Sequence, residues 1–169
     1  IPPSILRPLI LAAKDYLRVE VDYVSLNEPD REGRIIVPHT LVWTGLRWHV
    51  RGWCEKNQDY RDFVLSRFRG EPEVLDASDH TGTLDEDWHT LVTIEIAPDP
   101  RLTADQQAVV AHDYGMTDGK WQLSVRAKLL PYLLQLLRLD PTQMMEDPRA
   151  QQIVILNQAD VETWLFPSL

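Results

Sequence analysis

Residues 47–53 carry the side chains best suited to chemistry in this 169-residue chain. They read Arg-Trp-His-Val-Arg-Gly-Trp, and in a strand every second side chain points to the same face. One face then carries Arg47, His49, Arg51 and Trp53. Guanidinium groups suit phosphates and aromatic rings stack on bases, so this face favours a nucleotide or single-stranded nucleic-acid site. A structural role, in which Trp53 shields a sheet edge and the arginines bond loop carboxylates, is at least as compatible with the spacing alone.

The charge of the chain is unevenly distributed. A net charge of −9 argues against nucleic acid, because domains that bind phosphates are usually basic. Residues 31–70 nevertheless contain eight Arg or Lys against four acids, a local charge of +4 that leaves −13 elsewhere. This basic segment is compatible with phosphate recognition and equally with a solvated face of ordinary ion pairs.

Other reactive residue types are too scattered to make a site. His80, His89 and His112 lack the spacing of metal ligands, so we expect no metal. The lone Cys54 cannot form an internal disulfide and has no neighbouring His and acid to activate it. Residues 85–87 indicate a solvated acidic turn. With no glycine-rich phosphate loop either, we expect no cofactor and no catalytic residue.

Hydrophobic spacing indicates the elements that position residues 47–53. Ser4–Leu17 has its apolar residues at helical spacing, which predicts an N-terminal amphipathic helix. From Arg18 the period changes to two, which predicts a strand. Further strands are expected at 34–43, 47–54 and 62–67. Short strands joined by tight turns close best as a small barrel.

The C-terminal half predicts a second unit of mixed α and β structure. Strands are expected at 90–97, 120–126 and 152–156, alternating with two helices, and this order suggests a split βαβ unit. A Thr103–Gln106 capping box opens the first helix, and Gly115 ends it. The second helix is predicted over Leu129–Leu139. The expected division is a linking helix at 1–17, the barrel at 18–70, a linker at 71–89 and the C-terminal domain at 90–169.

A set of motifs follows in order along residues 18–70. It consists of Tyr23-x-Ser25, Arg34, Pro38-His39, Trp48-His49-Val50-Arg51, Arg61-x-Phe63 and Ser66-Arg67. Together they resemble the WYL domain of bacterial transcriptional regulators, with Trp48-His49-Val50 standing at the family's naming Trp-Tyr-Leu. This variant is similar to regulators of the CapW and BrxR type, which control phage-defence operons. Residues 92–139 resemble the C-terminal extension, called WCX, of the same regulators.

The resemblance implies an Sm-like barrel with an effector pocket, followed by a small ferredoxin-like extension. The implied pocket residues are Tyr23, Ser25, His39, His49, Arg51 and Arg67, with Ser66 nearby. The implied effector is single-stranded DNA or an oligonucleotide. His49 departs from the family's tyrosine, which puts the choice of ligand in doubt.

The resemblance also implies partners. The extension of such regulators helps to form a homodimer and lies near the partner's pocket, which makes Arg126 an additional candidate. Operator DNA is bound through an N-terminal winged helix-turn-helix. The only helix predicted before the barrel is Ser4–Leu17, and the chain begins at Ile1 rather than Met. We therefore expect a fragment that does not bind operator DNA specifically by itself.

Three hypotheses follow from these observations. The leading one is an effector-sensing module of a transcriptional regulator, which is not an enzyme and is expected to be cytoplasmic because no apolar run approaches the roughly 20 residues that span a bilayer. The second is a structural homodimerisation or protein-interaction module whose basic patch meets an acidic surface. The third, a nuclease, is suggested only by His39 and His49 near arginines and lacks the carboxylate cluster that metal-assisted cleavage needs.

Overall fold

One helix and five antiparallel strands build the first unit of the computed structural model. The chain divides into two units, Ile1–Glu86 and Asp87–Leu169. The structure describes residues 1–27, 29 and 31–165. In the first unit, α1 spans Pro3–Asp15 and buries the stripe Ile5, Leu9 and Ala12. The strands are β1 (Leu17–Tyr23), β2 (Glu32–Trp43), β3 (Trp48–Cys54), β4 (Asp59–Val64) and β5 (Phe68–Ala77). The predicted N-terminal helix and mixed α and β composition are confirmed.

The five-stranded sheet has the order β4-β3-β2-β1-β5 and does not close into a barrel. No hydrogen-bonded ladder joins β4 to β5 among the described residues, whereas a closed Sm-like barrel was expected. The chain leaves β4 through a one-turn 3₁₀ helix, Leu65–Arg67, and β5 pairs with β1 instead. At the end of β4 the Val64 amide donates to the Tyr23 hydroxyl at 3.0 Å, so a side chain takes the place of a ladder carbonyl.

A bulge distorts the pairing of β2 with β3. The register shifts between Pro38 and Thr40, which inserts His39 as an extra residue in β2. Opposite the bulge, Gly52 passes so close to β2 that a Cβ on it would lie 2.4 Å from the Val37 carbonyl oxygen. Only glycine fits at that point of β3.

The segment predicted as a linker, residues 71–89, is largely ordered structure. Residues 71–77 complete β5, an edge strand whose acidic side chains are mostly exposed, which explains their linker-like composition. Residues 78–86, which we call the strap, follow β5 and contain the 3₁₀ turn Gly82–Leu84. Helix α2, Glu86–His89, comes next, and the two units divide between Glu86 and Asp87. The strand predicted at 62–67 is β4, which ends three residues earlier.

The second unit is a three-stranded antiparallel sheet with helices. Its elements are β6 (Leu91–Pro98), α3 (Ala104–Asp113), β7 (Trp121–Arg126), α4 (Leu130–Leu137), α5 (Pro148–Gln151), β8 (Ile153–Ile155) and α6 (Gln158–Glu162). The order β7-β6-β8 places β6 between two strands that run parallel to each other. This is a split βαβ arrangement, with three strands in the described residues where a ferredoxin-like sheet has four. Residues 166–169 of the predicted 90–169 domain lie outside the described residues.

The predicted capping box is present in α3. The Thr103 side chain accepts from the Gln106 amide at 3.3 Å, and the Gln106 side chain accepts from the Thr103 amide at 3.0 Å. Gly115, at a φ of +61°, follows the helix end. Across the described residues, every helix is too short or too polar to cross a lipid bilayer.

Candidate functional site

Strand β3 has two chemically different faces. Val50 and Cys54 are fully buried in the core of the first unit, packed with Phe63 and Tyr23. The alternate side chains, Arg47, His49, Arg51 and Trp53, point to the opposite face, which we call the cationic face. The predicted alternation is therefore confirmed for residues 48–53, which lie in β3, whereas Arg47 precedes the strand.

Arg51, at the centre of the cationic face, is held by two carboxylates. Its Nε and Nη2 atoms donate to the two oxygens of Asp85 at 2.6 and 2.9 Å, and Nη1 donates to Asp62 at 3.1 Å. Arg51 and Asp85 are each 2% exposed. Burial acts to lower the pKa of Arg51, but the bonds and charges of Asp85 and Asp62 outweigh it and raise that pKa. The guanidinium is therefore a permanently charged member of a buried ion cluster.

His39 joins the same cluster from the bulge of β2. Its Nε2 lies 2.9 Å from an Asp85 oxygen, and its Nδ1 lies 2.8 Å from the Thr40 hydroxyl. A neutral ring satisfies both contacts when Nε2–H donates to the carboxylate and Nδ1 accepts from the hydroxyl, a tautomer inferred from the network. His39 thus helps to position Asp85 over Arg51.

The strap covers the end of the cationic face at Trp53. The His80 ring stacks on the Trp53 ring, with centroids 4.0 Å apart and planes inclined by 8°. The Tyr60 hydroxyl, on neighbouring β4, donates to the Thr81 carbonyl at 2.6 Å. The pKa of Tyr60 is raised by burial and by the charge of Asp85, so this hydroxyl keeps its proton at neutral pH.

His49 lies beside Arg51 on the cationic face and is 3% exposed. Burial lowers the pKa of His49, the positive charges of Arg47 and Arg67 lower it further, and the negative charge of Asp62 acts in the opposite direction. The imidazole is therefore neutral at neutral pH. A neutral ring offers one donor and one acceptor, as a base edge requires.

Arg47 and Arg67 are available cations beside His49. Arg47 is exposed just before β3, and Arg67 is half-buried at the end of the 3₁₀ turn Leu65–Arg67. Among the described residues, neither guanidinium has a hydrogen bond or an ion pair. Ser66, in the same turn, is exposed.

The remaining sequence-predicted residues lie elsewhere. Tyr23 is a core residue at 4% exposure, packed edge-on against Phe63 and Phe68, on the opposite side of the sheet from the cationic face. Ser25 is half-buried in the segment after β1. Arg126 bonds the Trp88 carbonyl at 2.8 Å and lies over the Trp88 ring within the second unit.

The most important residue that the sequence did not reveal is Asp85. The acidic run 85–87 predicts a solvated turn, yet Asp85 is almost fully buried against Arg51 and His39. The sequence does suggest that the arginines of residues 47–53 bond loop carboxylates. It does not indicate which carboxylate Arg51 would bind. Within the described ranges, no three His, Cys, Asp or Glu side chains are placed to hold a metal ion.

Comparison with known proteins identifies both units. Residues 4–71 match the WYL domain, and residues 91–161 match the BrxR transcriptional regulator, C-terminal dimerization domain. The chain is 36% identical over 157 residues to the DNA-binding transcriptional repressor CapW of Stenotrophomonas maltophilia, covering 93% of this chain and 52% of the relative. CapW of Escherichia coli (strain KTE188) is 34% identical over 158 residues, covering 94% and 52%.

Two further similarities extend this comparison. CapW of Pseudomonas aeruginosa is 36% identical over 146 residues, covering 85% of this chain and 48% of the relative. The chain thus spans about half the length of the relatives it matches. A solved structure, the proteasome accessory factor B/C of Arthrobacter aurescens, is 14% identical with a TM-score of 0.42, over 96% of this chain and 26% of that one.

Proposed function

The chain belongs to the WYL-domain transcriptional regulators with a BrxR-type C-terminal domain, and on that basis we propose that it is the effector-sensing part of a repressor. The effector is single-stranded DNA or a short oligonucleotide, and its site is the cationic face of β3. The relatives are named as repressors, and this chain is a sensor rather than an enzyme.

The observation that carries this proposal is the availability of Arg47 and Arg67. In the described part of the first unit both guanidiniums lack a carboxylate partner, yet both act electrostatically on His49. Two such cations beside a neutral imidazole suit successive phosphates of a single strand with a base between them. Arg51 and Trp53 extend the same face with a further cation and an aromatic ring.

The second unit supports a role in assembly. Its matched domain is described as a dimerization domain, and it exposes apolar side chains such as Leu91, Val109 and Leu136, each more than half accessible. We infer a homodimer built through this unit. Operator binding, in turn, belongs to the part of the relatives' length that this chain does not span, and the controlled operon is of the phage-defence type.

A binding titration tests the effector site. The probe is a labelled single-stranded DNA of about 12 nucleotides, measured by anisotropy over a range of salt concentrations. We expect Arg47→Ala and Arg67→Ala each to weaken binding and to reduce the slope of log affinity against log salt by about 0.7. The matched control is Arg61→Ala, which removes an exposed arginine pairing opposite Gly52 on the other face of the sheet. Equal binding by all four proteins contradicts the site.

A second function, a purely structural interaction module, is favoured by the ion cluster at Arg51. Here the chain's own carboxylates, Asp85 and Asp62, already neutralise the central cation, as they would if the face only needed to be held together. Sedimentation of the wild type and of the double charge reversal Arg47→Glu/Arg67→Glu separates the two functions. Loss of dimer without any measurable affinity for the probe supports the structural role.

A further inference from the structure

We propose that the strap, residues 78–86, occupies part of the effector site and mimics the effector. The effector must displace the strap to reach Arg51 and Trp53. This inference rests on the proposed function, because it concerns the same face of β3. It assigns the strap a regulatory role that neither matched domain description mentions.

The strap supplies both kinds of group that a nucleotide would bring. Its His80 ring lies flat on Trp53 at 4.0 Å and 8°, which is the geometry of a base on an aromatic platform. Its Asp85 carboxylate accepts hydrogen bonds from Nε and Nη2 of Arg51, as a phosphate does when it binds a guanidinium group. One aromatic ring and one anion of the chain therefore occupy the positions that a base and a phosphate would fill.

The strap fits this position closely. Gly82 packs on His39, where a Cβ would lie 2.8 Å from the His39 Cβ and Cγ atoms. The backbone angle of Gly82 is open to any residue, so glycine is needed there for space alone. The Thr81 carbonyl accepts from Tyr60 on the adjacent strand. Such a fit marks a docked segment rather than a loop that merely passes over the sheet.

The contacts of the strap are nevertheless exchangeable. Within it only Gly82 and Asp85 are buried, and Leu84 is 59% exposed. The strap is thus held by an ion pair, a ring stack and single hydrogen bonds, and not by an apolar core. The ion pair and the ring stack can each be replaced by an equivalent contact to a phosphate or a base.

The burial of Arg51 couples release of the strap to arrival of a ligand. A buried guanidinium that loses its main carboxylate partner is costly, and Asp62 contributes only one bond at 3.1 Å. Departure of Asp85 is therefore favourable only when another anion takes its place. The strap then changes position in response to an anionic ligand and not spontaneously.

The test compares strap variants with the same single-stranded DNA probe. His80→Ala removes the stack from an exposed position and leaves Arg51 paired, so we expect it to fold normally and to bind the probe about two- to tenfold more tightly. The matched control is His112→Ala, an exposed histidine of α3, which should not change affinity. Hydrogen exchange of residues 78–86 in the wild type should accelerate when the probe binds.

The outcomes separate this inference from the proposed function. Wild-type binding that weakens in Arg47→Ala, together with unchanged affinity in His80→Ala and unchanged exchange of the strap, overturns the strap proposal alone. No binding by the wild type or by either strap variant, His80→Ala or Asp85→Asn, overturns both. Tighter binding by His80→Ala with faster exchange of the strap supports both.

Discussion

The Asp85 carboxylate and the Arg51 guanidinium form a two-bond ion pair, with N–O distances of 2.6 and 2.9 Å, in which both side chains are almost fully buried. The two residues are 34 positions apart in the chain. Their pairing fixes the strap to the centre of β3. Because charges in such surroundings are poorly solvated, we expect this pair to contribute to the stability of the first unit and to control access to Arg51 and Trp53.

Replacing Asp85 should destabilise the first unit strongly. In Asp85→Asn the buried Arg51 keeps Asp62 but loses its two-bond partner, and we expect a loss of about 3 kcal/mol in the free energy of unfolding. Urea denaturation followed by tryptophan fluorescence measures it. The control is Asp87→Asn, which removes a half-exposed partner of Lys128 and should cost less than about 1 kcal/mol. Equal losses in the two variants would mean that the buried pair contributes no more than a surface pair.

Acidification should weaken folding through His49. Its pKa is lowered in the folded state, so below about 6.5 the unfolded chain takes up more protons than the folded one and stability falls with pH. The loss is at most about 1.4 kcal/mol for each pH unit down to the folded pKa. The midpoint of urea denaturation should be measured between about pH 7.5 and about pH 5.5, roughly one unit either side of the ordinary histidine pKa. Over this range the midpoint should shift less in His49→Gln than in the wild type.

The control for this prediction is His112→Gln, an exposed histidine, which should keep the wild-type dependence on pH. The carboxylates whose pKa values are lowered, such as Glu55 and Asp76, titrate below this range. A variant His49→Gln with the same pH profile as the wild type would show that burial of His49 does not govern stability in this window.

Adding one methyl group at Gly82 should loosen the strap. In Gly82→Ala the new Cβ would meet His39 at 2.8 Å, so either the ring or the strap must shift, at a cost of about 1–3 kcal/mol. Hydrogen exchange of residues 78–86 should become faster. Gly33→Ala is the control, because its nearest neighbour would lie at an ordinary 3.7 Å. Unaltered exchange in Gly82→Ala would show that His39 yields without moving the strap.

Removing the Tyr23 hydroxyl should cost stability and leave ligand affinity unchanged. Tyr23→Phe deprives the buried Val64 amide of its acceptor, which should destabilise the first unit by about 1–3 kcal/mol. The comparison variant is Tyr114→Phe, a half-buried tyrosine in the second unit, with an expected loss of less than about 0.5 kcal/mol. Probe affinity that drops with Tyr23→Phe while stability stays constant would instead place Tyr23 in the effector site.

Local patterns account for what the sequence predicted well. The period of two in residues 47–53 is set by the pleat of a strand, so the separation of Val50 from His49 and Arg51 could be derived without tertiary information. The capping box at Thr103 is equally local, because its two hydrogen bonds connect residues three apart. Both features are present as expected.

Long-range pairing accounts for what the sequence did not predict. Asp85 is buried because it pairs with the guanidinium of Arg51, 34 residues earlier in the chain. The composition of residues 85–87 by itself predicts an exposed turn. The sheet is likewise open because β5 pairs with β1. No property of residues 71–77 indicates that pairing. Tyr23 looked like a pocket residue by resemblance, while its ring packs with Phe63 and Phe68 from distant strands.

The bulge in β2 also limits which substitutions the cationic face can accept. Since a Cβ at Gly52 would collide with the Val37 carbonyl, every substitution there disturbs the pairing of β2 with β3. The positions on either side, 51 and 53, hold the cation and the ring that meet the strap. Substitutions that change ligand preference are therefore expected at the other end of the strand, near Arg47 and His49. A substitution at the centre of the strand would require a compensating change in the strap.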